Sequence, residues 1–183
     1  MADRHGMRTS AEEARLRHRS AVLAAFCTGI AVALPALVLV VWVTGGITSG
    51  AESLGSFLPA AGMAARAAVL VLTLTPALLL TAGFLAARRM LRAFATGRWF
   101  EPGTVRALAA FGRWTALAGL AGVLVPTLVG LVLSVGAPPG ARTLVVSIGS
   151  GPVLAMLIGA VIWTLGRVWA RAAQLRADLD GFV

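Results

Sequence analysis

RRMLRAFATGRWFEPGTVRALAAFGR, residues 88–113, is a basic segment that lies between two long apolar runs. It holds six arginines against a single acid, Glu101. The first part is predicted to extend the preceding helix, because arginine side chains there can reach lipid headgroups. Gly97 suits the position after a helix end, and Pro102 suits the first position of a new helix. The segment is therefore predicted to be an interfacial helix-turn-helix connector. Whether it is only a connector or also docks a regulatory partner is open.

The runs on either side of this connector are too apolar for a soluble domain. Of the 183 residues 58% are hydrophobic and 13% charged, whereas a soluble domain has roughly half apolar residues and about a quarter charged. A helix needs about 20 apolar residues to cross a bilayer. The sequence therefore predicts an all-α fold, a transmembrane four-helix bundle. Its predicted parts are an N-terminal tail, 1–20, and a single membrane domain, 21–183. The membrane domain contains four spans (21–43, 67–87, 114–135 and 143–166), the cytoplasmic loop 88–113 and a C-terminal cytoplasmic helix, 167–183.

The arginines give the orientation of these spans. Five lie in residues 1–20, six in 88–113 and three in 167–183, against only Arg66 and Arg142 in the other two loops. Basic loops stay in the cytoplasm, so both termini and the connector are predicted to be cytoplasmic, in a bacterial inner membrane. For the tail, two interpretations are open: a short helix on the inner membrane surface, or a disordered basic segment.

Two patterns inside the spans bear on packing. Each predicted span contains a proline, Pro35, Pro76, Pro126 or Pro152, which makes them candidate helix hinges around a cavity. Proline is also simply more frequent in membrane helices. Small residues recur at helical spacing in the third and fourth spans, which indicates close helix contact within one bundle or between two copies.

The spans lack the residues that catalysis or ion coupling requires. None contains Asp, Glu, Lys, Arg or His, and no metal-spaced cluster, catalytic triad or phosphate loop is present. The single cysteine, Cys27, cannot form an internal disulfide. We therefore expect no enzyme activity, no cofactor and no metal. Direct nucleic-acid binding is not expected either, because there is no soluble basic domain.

The connector resembles a family of bacterial four-span membrane proteins, the domain of unknown function DUF2975. The C-terminal RVWARAAQLRADLDGFV also resembles the end of that family. The likeness extends over about residues 21–183, and it implies the four-span topology rather than a mechanism, since the family has no established activity. Members of that family are often neighbours of small helix-turn-helix regulators, which suggests a signalling role by association. The matching connector positions are Gly97, Phe100, Pro102, Val105, Arg106, Leu108 and Gly112.

The function predicted from these features is that of a non-enzymatic membrane protein with a regulatory or partner-binding role. Its expected partners are anionic lipid headgroups, together with a protein partner or further copies of the chain. The alternative is a small permease or pore-forming transporter subunit built from the kinked spans. The candidate lipid or partner contacts are Arg88, Arg89, Arg92, Arg98, Trp99, Phe100, Arg106, Arg113, Arg167 and Arg171.

Overall fold

A computed structural model of the protein describes residues 3–43, 62–96, 101–135 and 149–180. This part of the chain forms four α-helices and contains no strand. The helices are α1 (Asp3–Val43), α2 (Met63–Ala95), α3 (Pro102–Val135) and α4 (Ser150–Asp180). The all-α prediction is confirmed.

Each helix contains a stretch long and apolar enough to cross a membrane. These stretches are Ser20–Val43, Met63–Ala95, Pro102–Ser134 and Ser150–Ala172. Only a small part of each is buried between helices, and large apolar side chains such as Phe26 and Leu154 point away from the protein. Such surface is costly in water and favourable against lipid tails. The protein is therefore a multi-pass membrane protein, as the composition predicted.

The N-terminal tail is helical from Asp3 onward, but it is not a separate surface helix. It continues into the first span as α1, about 60 Å of helix at 1.5 Å per residue. No glycine or proline lies between Met7 and Phe26, so nothing in the sequence breaks the helix where the charged residues give way to apolar ones.

The ends of the connector lie where the capping signals predicted them. α2 ends at Ala95, and the backbone N–H of Thr96 donates to the carbonyl oxygens of Arg92 and Ala93, each at 3.2 Å. α3 begins at Pro102, and the backbone N–H of Thr104 donates to the carbonyl oxygen of Glu101 at 2.9 Å. The proposed left-handed Gly97 lies outside the described residues.

Helices that follow each other in the chain pack against each other: α1 on α2, α2 on α3, and α3 on α4. Between α2 and α3 an apolar cluster joins Val69 to Val125, Val129 and Leu133. This pairs the beginning of α2 with the end of α3, so the two helices are antiparallel. Val69 is 2% exposed, and the cluster lies at the opposite end of the helices from the arginines of the connector.

Glycines allow α3 and α4 to pack closely along the seam between them. A Cβ on Gly159 would lie 2.8 Å from Cα of Ala116, and a Cβ on Gly119 would lie 2.7 Å from the carbonyl oxygen of Pro152. A Cβ on Gly166 would lie 2.9 Å from Cα of Ala109. Real Cβ atoms do not approach other atoms so closely. The two backbones are thus in direct van der Waals contact, the arrangement that small residues permit in membrane helices.

Candidate functional site: the basic helix ends

The candidate arginines that the structure describes lie at one end of the four-helix arrangement. Arg88, Arg89 and Arg92 are near the end of α2, Arg106 and Arg113 are in the first turns of α3, and Arg167 and Arg171 follow the apolar part of α4. Because neighbouring helices are antiparallel, the end of α2, the beginning of α3 and the end of α4 come together. The predicted contacts Arg98, Trp99 and Phe100 lie outside the described residues.

Most of these guanidinium groups are exposed, and two of them lie over indole rings. Arg88 is half-buried, whereas the other described arginines of this set are exposed. Cζ of Arg113 is 5.1 Å from the ring centroid of Trp114, and Cζ of Arg167 is 5.6 Å from that of Trp163. Cation–π contacts of this length are favourable. Paired Arg and Trp side chains are also typical of the headgroup level of a membrane.

A groove of about 580 Å³ lies between α1 and the basic end of α2. On one side it is lined by small side chains of α1 between Ala21 and Val32, and on the other by Arg88, Arg92 and Ala95 of α2. The two arginines are four residues apart, so both lie on the same face of α2. The groove therefore joins an apolar floor to a pair of guanidinium groups.

A second groove, of about 290 Å³, lies between α3 and α4 at the same end. It is lined by apolar side chains, among them Leu108, Ile162 and Trp169. No arginine contributes to its wall. It offers contact surface for lipid chains but no group that would select a ligand by charge.

The prolines occupy two kinds of position. Pro35, Pro76 and Pro126 lie inside α1, α2 and α3, where each removes one helical N–H donor. Pro152 is the third residue of α4. An N–H there has no partner within the helix in any case, so Pro152 does not interrupt α4 and is not placed to act as a hinge. None of the four prolines lines either groove described above.

The carbonyl oxygen that Pro35 leaves without a donor belongs to Ala31, and a side chain of the neighbouring helix reaches it. The hydroxyl of Thr81 on α2 lies 3.0 Å from this oxygen and 2.9 Å from the carbonyl oxygen of Ala77 in its own helix. Thr73 and Thr75, which precede Pro76, donate to carbonyl oxygens of their own helix. Thr73 and Thr75 lie next to a proline in the sequence, which is a local signal for such bonds. Thr81 had no such local signal.

A metal site would require several His, Cys, Asp or Glu side chains close together. In residues 3–43, 62–96, 101–135 and 149–180 no set of three or more His, Cys, Asp or Glu side chains comes together. Cys27 is half-buried and is a free thiol. In the described part of the chain, the groups available to bind a ligand at this end are guanidinium groups beside an apolar surface.

Comparison with known proteins leaves the chain without an assigned family. No family model matches it, and no curated protein and no solved structure matches it either. The resemblance of the connector to the DUF2975 family therefore stays a prediction from the sequence.

Proposed function

We propose that the protein is a non-enzymatic, membrane-embedded regulatory or partner-binding protein of a bacterial inner membrane, and that its basic cytoplasmic face binds anionic lipid headgroups. In this proposal both termini are cytoplasmic, and the connector between α2 and α3 lies in the membrane interface. The positive-inside rule supports this orientation.

The observation that carries the proposal is the convergence of arginines from three helices at one end of four apolar spans. The opposite end of α2 has only Arg66. Within the part of the chain that the structure describes, no ion pair is recorded for the arginines of the basic face. Their charge is thus available to an external anion, and the phosphates of inner-leaflet lipids are the nearest ones.

The test compares lipid retention by the purified full chain in the presence of phosphatidylglycerol and of phosphatidylcholine. The wild type is expected to prefer phosphatidylglycerol, and the preference should weaken as salt rises. Each basic residue near an anionic surface contributes about 1 kcal/mol, so replacing Arg88, Arg89 and Arg92 by Gln should reduce the preference up to roughly a hundredfold.

Arg66→Gln is the matched control, because it removes one charge from the other end of α2. It should leave the preference unchanged. Equal retention of both lipids by the wild type, or an unchanged preference in the triple variant, would refute the proposal. Crosslinking of membranes with the same variants tests the partner: a protein captured by the wild type should be lost with the triple variant.

A further inference from the structure

The floor of the groove between α1 and α2 has few large side chains. Along α1 the residues that face it include Ala21, Ala25 and Gly29. A Cβ added at Gly29 would meet nothing within 4 Å. There is room for a chain of methylene groups, and none of the described residues fills the groove.

The groove has the length and direction of a lipid acyl chain. From Ala21 to Val32 it follows about 16 Å of α1 at 1.5 Å per residue. One leaflet contributes half of a hydrocarbon core that is about 30 Å thick. The contact of Thr81 with Ala31 fixes the antiparallel register of the two helices. In that register Arg88 lies level with Ala24, so the charged wall is at the outer end of the groove and the uncharged part points to the membrane centre.

The charged wall matches a phosphate group. Arg88 and Arg92 lie one helical turn apart on the same wall, and guanidinium groups bind phosphate oxygens through paired, charge-assisted hydrogen bonds. Among the described residues, no carboxylate is recorded in an ion pair with either arginine. The hydroxyl of Thr28, also in the groove, donates to the carbonyl oxygen of Ala24 at 2.9 Å. The hydroxyl of Thr28 has no second proton to donate to an anion, so Arg88 and Arg92 are the donors that would bind one.

We propose that this groove binds one anionic phospholipid, with its phosphate between Arg88 and Arg92 and one acyl chain along the small-residue face of α1. This inference rests on the proposed function, because it takes the basic end to face the anionic leaflet. It goes further in assigning a discrete site with a stoichiometry of one. The remaining arginines then contribute only general attraction to the membrane surface.

The experiment is native mass spectrometry of the full chain released from micelles that contain phosphatidylglycerol or phosphatidylcholine. We expect one phosphatidylglycerol molecule to remain bound to the wild type. Replacing Arg88 and Arg92 together by Gln should weaken this binding about tenfold or more, because two charge-assisted interactions are lost. Gly29→Phe should weaken it as well, since the ring would occupy the apolar part of the groove and leave every charge in place.

The charge-matched comparison replaces Arg89 and Arg106 together by Gln. Both arginines are exposed and neither lines the groove. They belong to the general basic face, so their loss should weaken retention of the single lipid clearly less than the loss of Arg88 and Arg92 does. Helix content and thermal unfolding in detergent confirm that each variant is folded. Gly29→Phe also separates the lipid from free phosphate, whose binding would not depend on the apolar floor.

The outcomes distinguish a discrete lipid site in the groove from general attraction between the basic face and the membrane. If all arginine variants weaken lipid binding equally and Gly29→Phe has no effect, the groove is refuted and the proposed function survives. If the wild type shows no preference for the anionic lipid, both are refuted. If only the groove variants lose the bound lipid, the discrete site is established.

Discussion

The hydroxyl of Thr81 lies 3.0 Å from the carbonyl oxygen of Ala31, across the contact between α2 and α1. Ala31 is four residues before Pro35, so its carbonyl is the one that the proline leaves without a helical N–H donor. In lipid no water is present to replace that donor, and an unsatisfied carbonyl is costly. The hydroxyl proton of Thr81 is shared between this oxygen and the carbonyl oxygen of Ala77, 2.9 Å away, so a side chain of α2 offers α1 the donor that Pro35 removed.

We predict that Thr81→Val destabilises the protein, since it removes this donor while keeping the shape of the side chain. Hydrogen bonds between membrane helices contribute about 0.6 kcal/mol on average and up to about 1.7 kcal/mol, so a loss within this range is expected. In a Pro35→Ala background the loss should be smaller, because the N–H of residue 35 then serves Ala31. A double-mutant cycle of unfolding free energies in detergent measures this coupling.

Thr75→Val is the control for this cycle, because the hydroxyl of Thr75 bonds within its own helix to the carbonyl oxygen of Val71. It should show no coupling to Pro35→Ala. Equal losses for Thr81→Val with and without the proline would show that the hydroxyl does not serve the freed carbonyl.

A second prediction concerns the seam between α3 and α4. Gly159→Leu should destabilise the protein, because the new side chain would have to displace the backbone of α3 at Ala116. The expected loss of unfolding free energy is about 1–3 kcal/mol or more, the usual cost of overpacking. Thermal unfolding in detergent checks the change. The control is Gly151→Leu in the same helix, where an added Cβ meets nothing within 4 Å. Its effect should stay within about 0.5 kcal/mol, and similar losses for the two variants would contradict the packing described.

A third prediction concerns topology. A phosphatase reporter that is active only outside the cytoplasm should be active when fused after Gly50 or after Gly140, and inactive when fused after Val183. These positions follow the first, third and fourth spans, and the expectation comes from the placement of the arginines. A cytoplasmic reporter fused at the same sites should give the reverse pattern. Cytoplasmic activity after Gly50 or Gly140 would contradict the orientation on which the proposed function depends.

Local sequence signals were sufficient for the four helices and for the two helix ends that flank the connector. The start of α3 at Pro102 followed from the fixed φ of proline, and the end of α2 followed from the residues around Thr96. The spacing of small residues in the third and fourth spans predicted close helix contact, and Gly119 and Gly159 make such contacts.

Features that depend on how one helix is rotated against another could not be predicted in this way. Thr81 and Ala31 are 50 residues apart, and no local pattern indicates that they meet. The groove is a similar case. Arg88 and Arg92 were among the candidate contacts, but that they line a shared wall opposite Gly29 follows only from the packing of α1 on α2. Likewise, Gly166 was not singled out from the sequence, although it touches Ala109.

The order of packing along the chain has a consequence for biosynthesis. The helices that pack against each other are neighbours in the sequence, so each helix after α1 has one partner already in the bilayer when it leaves the ribosome. Low contact order favours rapid folding because little loop entropy is lost before contacts form. Assembly can therefore keep pace with translation, one helix after another, without a search for partners that have yet to be made.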